Sequence, residues 1–69
     1  IVYKLHLTGS VTLKIYNITG QQVATLVNRV QQTGTHRITW TARNLPSGIY
    51  LYRLHTANYV VTKKMILQK

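Results

Sequence analysis

The chain has 69 residues, no cysteine, and nine Lys and Arg facing no Asp or Glu, for a formal charge of +9. One domain over residues 1–69 is the most this length holds, with only about 60% of the unfolded chain's surface buried and no disulfide to compensate. The missing carboxylates exclude paired-carboxylate hydrolysis, acid-oriented serine triads and carboxylate-bound calcium or magnesium. The missing thiols exclude Cys-based zinc.

With these carboxylate-dependent sites excluded, the chain reads as non-catalytic with no cofactor. Such charge favours solubility and attraction to polyanions, including nucleic acid, anionic lipopolysaccharide and anionic membrane surfaces. A typical domain mixes about 25% charged residues of both signs. The imbalance therefore reads as selection or engineering against carboxylates. Apolar runs fall far short of the roughly 18–20 residues a spanning helix needs. The opening "IVYKLHLTGS" lacks a signal-peptide layout and an initiator Met. The chain is expected to be a fragment of something longer.

The period is two almost throughout. A first strand is expected around Val2 to Leu7. Val11, Leu13 and Ile15 alternate with Thr12, Lys14 and Tyr16 as a half-buried strand. "NITG" at 17–20 turns the chain, with Gly20 free to take positive φ. Asn17-Ile18-Thr19 fits a glycosylation sequon, but Asn is favoured in such a turn for backbone reasons. Val23 to Val27 forms the next strand, its alternation blurred by Ala24 and Leu26 as in a bulged or edge strand. "NRVQQTG" at 28–34 reads as a loop.

His36, Ile38 and Trp40 then face one way on a strand, with Trp40 the expected largest core residue. "TARNLPSG" connects to the next strand, where Pro46 and Gly48 oppose helix and shape the turn. Tyr50, Tyr52 and Leu54 share one face of that strand, opposite Ile49, Leu51 and Arg53. Apolar groups on both faces place it inside its sheet. "HTAN" is the last turn, and Tyr59 to Leu67 closes the domain.

The expected core is Leu13, Ile15, Ile38, Trp40, Tyr52 and Leu54, while Tyr16 and Tyr59 are the expected exposed rings. Six strands with short Gly-bearing turns indicate an all-β, antiparallel sandwich or small barrel. His6, His36 and His55 show no metal-ligand spacing, and no metal site is assigned.

The ordered set "VTLKIYNITGQQVATLVN", "GTHRITWTARNLPSGIYLYRL" and "KKMILQK" resembles the type A C-terminal sorting domain of type IX secretion cargo. That family is an Ig-like β-sandwich of about six to seven strands, related to the Ig-like domain of flagellar hook-capping proteins. Pro46-Ser47-Gly48-Ile49-Tyr50 matches its Gly-x-Tyr element, Lys64 and Met65 its Lys-Met pair, and Lys69 its terminal lysine. The family's Pro-Asn-Pro lead is absent, and members carry acids where this chain has Asn17, Gln22, Thr41 and His55.

The resemblance implies a secretion and sorting module in an exported protein, passing the periplasm to the outer membrane, cell surface or medium. Its partner would be a secretion-machinery protein at the outer membrane, with anionic lipopolysaccharide as the attachment point. Lys63, Lys64 and Lys69 form a C-terminal basic cluster with Arg53 across the hairpin, and these with Met65 are the expected recognition residues. Pro46, Gly48 and Tyr50 would frame the hairpin. Two further readings stand beside it: a self-associating structural module that pairs through a sheet edge, and a polyanion binder driven by charge.

Overall fold

The computed structural model describes residues 1–41 and 44–68. Six strands follow one another: β1 (Val2–Leu5), β2 (Gly9–Asn17), β3 (Gln22–Gln31), β4 (Gly34–Arg37), β5 (Gly48–His55) and β6 (Val60–Leu67). They form a two-stranded sheet, β1-β4, and a four-stranded sheet ordered β3-β2-β5-β6, with every pair antiparallel. The result is a small β-sandwich. β5 lies between β2 and β6, as its two apolar faces require.

Strand β2 organises the core. Val11, Leu13 and Ile15 are essentially inaccessible on its inner face, and Tyr3, Leu5, Val27 and Leu54 close around Val11 and Leu13. Ile38 and Tyr52 are half-buried against this cluster. The two sheets are also joined by polar contacts. The Tyr3 hydroxyl donates to Oε1 of Gln31, and Tyr59 donates across to the Lys4 carbonyl at 3.1 Å. Tyr3 also stacks on its cross-strand neighbour His36, with ring centroids 5.4 Å apart.

The blurred alternation of β3 has a structural cause. Its pairing with β2 slips between Leu13 and Lys14 and again between Ile15 and Tyr16, leaving Leu26 and Val23 as the extra residues. Two bulges on an edge strand thus reset which residues face inward.

Four expectations are corrected. The segment 28–34 is not a loop: Asn28 to Gln31 continue β3, and only Gln32 and Thr33 link it to β4. Polar residues are tolerated there because an edge strand can turn them to water. The one buried among them, Gln31, is satisfied by Tyr3.

The strand expected through Trp40 ends at Arg37, although Ile38 still exchanges two backbone bonds with Ile1 at 2.8 and 2.9 Å. Trp40 is half-buried rather than the centre of the core. It stands edge-on to Tyr50, 5.4 Å between centroids at 75°. The two-stranded sheet is too narrow to cover four strands, so this aromatic pair covers part of the remainder. Tyr16 and Tyr59, expected as exposed rings, are half-buried.

Candidate functional site

The turns that frame β5 and β6 are fixed by side-chain-to-backbone bonds. Tyr50 donates its hydroxyl to the Pro46 carbonyl at 2.8 Å, tying the loop before β5 to the strand. A tyrosine reaching back a few residues in this way is a recurrent corner device of β-sandwiches. Pro46 presets the backbone of that loop, and Gly48 opens β5 opposite Leu67. At the other end of the hairpin, Thr56 Oγ1 accepts from the amides of Asn58 and Tyr59, both at 3.2 Å. The hairpin is therefore clamped at both ends.

The "NITG" turn lies beside the Pro46 loop. Asn17 Oδ1 accepts from the Thr19 amide at 3.1 Å, the Thr19 hydroxyl at 2.7 Å and the Gln21 amide at 2.9 Å. Gly20 takes φ +92° to complete the turn. The Asn17 side chain is spent on the backbone, which supports the structural reading of the sequon. Between the two turns lies an apolar groove of about 280 Å³, flanked by Ile18, Leu45, Pro46 and Ile49.

Strand β6 occupies one edge of the four-stranded sheet, and the pleat divides its basic residues. Lys63 sits opposite Tyr52 on the inner face, whereas Lys64 sits opposite Leu51 on the outer face. Met65, opposite Tyr50, is half-buried on the inner side. Arg53 is paired with Thr62 on the outer face, where its Nε donates to Thr62 Oγ1 at 3.4 Å. Lys69 lies outside the described residues.

The basic cluster read from the sequence is thus two groups, one per face. The outer group also takes in residues the sequence reasoning did not select. Lys14 is directly opposite Arg53, His55 is opposite Thr12, and the Arg53 guanidinium lies 5.3 Å from the centre of the Tyr16 ring. Alternation alone placed Lys14 and Tyr16 toward solvent. Only the β2–β5 register, which joins positions far apart in the chain, brings them to Arg53.

Other exposed features follow the same edge. Val60 and Ile66 on β6, and Ile49 beside Ile66 on β5, leave apolar surface in water. Among the described residues, no three His, Cys, Asp or Glu converge as a metal-binding group. His36 Nε2 is 2.8 Å from the Gln32 carbonyl oxygen, and His55 belongs to the outer basic group.

The edge of the four-stranded sheet and its flanking side chains offer charge, unpaired backbone and apolar surface for recognition. Comparison with known proteins bears directly on that character. Searches of curated proteins and of solved structures give no match. The model of the family described as the secretion system C-terminal sorting domain matches residues 2–68, nearly the whole chain. The chain belongs to the family of type IX secretion C-terminal sorting domains.

Proposed function

We propose that this domain is a non-catalytic address within a longer exported protein, read by a secretion-machinery protein at the outer membrane through β6 and its hairpin partner. Family membership supplies the coarser statement: a sorting signal that directs type IX export across the outer membrane, to the surface or the medium. The observation that carries the finer one is the position of β6. The "KKMIL" segment that matches the family lies on an edge strand, with one row of backbone donors and acceptors unpaired within the sheet. Strand addition at such an edge gives affinity through the backbone, while Lys63, Lys64 and Met65 supply side-chain specificity.

The test fuses the domain to a reporter in a type IX-competent bacterium. Removing residues 59–69 should abolish export, and replacing Lys63 and Lys64 by Gln should reduce it in a domain that still folds. Unchanged export in both variants refutes the reading.

A second reading, self-association through the same edge, draws on the exposed Val60, Ile66 and Ile49. Light scattering separates the two, because a strict monomer at high concentration excludes assembly. General attraction to nucleic acid or anionic lipopolysaccharide follows from the +9 charge and should weaken steeply with salt.

A further inference from the structure

The geometry points to a defined oxyanion site on the outer face of the four-stranded sheet, built from Lys14, Arg53, His55 and Lys64 and selective for phosphate or sulfate groups. It rests on the strand register and not on the export reading. Lys14 and Arg53 face each other across β2 and β5, a pair whose Cβ atoms lie about 4.5–5.5 Å apart. Like charges so placed oppose folding, and the chain has no Asp or Glu to neutralise them. An anion held between them removes that repulsion.

The site is also built to hold one. Lys14, Arg53 and His55 line a single groove with Thr12 and Tyr16. The Arg53 guanidinium is fixed from two sides, by the Tyr16 ring at 5.3 Å and by Thr62 Oγ1 at 3.4 Å. The Thr62 bond uses Nε and leaves the terminal guanidinium nitrogens as donors to a tetrahedral oxyanion. Lys64 stands diagonally from Arg53 on β6, and His55 adds an imidazole donor on β5. Strands β2 and β5 thus line one groove, and Lys64 flanks it from β6 beside Arg53. The other described Lys and Arg side chains differ in this respect: Lys4 and Arg37 are on the two-stranded sheet, Arg29 is at the far edge on β3, and Lys63 is on the inner face of β6.

The decisive experiment is amide-resolved NMR of the 69-residue chain, titrated with inorganic phosphate, inorganic sulfate, or chloride at matched ionic strength. Phosphate and sulfate should give saturable shifts at Lys14, Arg53, His55 and Lys64 that chloride does not reproduce. Arg53→Gln should weaken binding by about tenfold, the loss of one charge-assisted contact, and Lys14→Gln similarly. Arg29→Gln should leave binding unchanged.

A vesicle arm distinguishes the source of the oxyanion. Phosphatidic acid vesicles that broaden these same signals, reversibly with added phosphate, identify a lipid headgroup. Free-phosphate binding without such broadening identifies a soluble anion. Both outcomes uphold the site. Shifts spread evenly over Lys4, Arg29 and Arg37, shifts equal in chloride, or shifts that survive the combined Lys14→Gln and Arg53→Gln change overturn it.

Discussion

Tyr3→Phe isolates the polar link between the two sheets. Tyr3 is 8% exposed and Gln31 7% exposed, and the phenol donates to the side-chain amide oxygen of Gln31. Phenylalanine keeps the ring and its stack on His36 but strands a buried acceptor. The lost bond costs about 1 kcal/mol, and the unsatisfied amide raises the total to about 1–3 kcal/mol. Against the roughly 3–10 kcal/mol expected for a domain of this size, that is a large fraction.

Urea unfolding followed by far-ultraviolet circular dichroism measures the change. Adding Gln31→Leu to Tyr3→Phe removes the stranded acceptor and should recover most of the loss. A Tyr3→Phe change under about 0.5 kcal/mol, or no recovery in the double variant, refutes the reasoning.

The same variant carries a pH signature. Burial pushes the Tyr3 phenol above its ordinary 10.0. The unfolded phenol therefore ionises first, so protons are bound more tightly in the folded state. The stability Tyr3 contributes is intact below pH 10 and is lost as pH rises from there through the folded value. Wild type should lose more stability than Tyr3→Phe over that window. Parallel curves would show that the phenol is not held protonated by burial.

Four other substitutions, at three positions, test neighbouring parts of the fold. Asn17→Ala removes the acceptor of three bonds in the first hairpin turn and should cost about 1–2 kcal/mol by urea titration. Asn17→Asp keeps that acceptor, losing only the Nδ2 bond to Gln21, and should stay within about 0.5 kcal/mol of wild type. Leu13→Ala empties the centre of the core at a cost of about 2–5 kcal/mol, enough to leave much of the chain unfolded at 37 °C by circular dichroism. Lys14→Gln relieves the repulsion with Arg53 and should stabilise the fold by about 0.2–1 kcal/mol in low salt. The gain should vanish in 1 M NaCl, where the screening length falls to about 3 Å.

Much of the fold was legible because alternation is a local signal. Val11, Leu13 and Ile15 announce an inner face regardless of what packs on it, and Asn17 and Gly20 announce their turn. Trp40 was misplaced because its size argued for burial, while the width of the opposing sheet decided how much cover was available. Residues 28–31 were misread because polarity signals exposure to water, which a loop and an edge strand share.

The candidate site was legible only in part. "KKMIL" could be picked out as a motif, but adjacency in sequence suggested one basic cluster where the pleat makes two. Lys14, Tyr16 and His55 acquired a role only through the β2–β5 register.

The sequence by itself determined the strand period, the turn chemistry, the charge of +9 with no compensating acid, and the family. Each of these is written in the residue types and their near neighbours. The tertiary structure decided which strands are edges, where β3 bulges, and which cations share a face. Those properties depend on pairing between segments distant in the chain. A register shift of one residue would turn Lys14 and Arg53 to opposite faces without altering a single local preference.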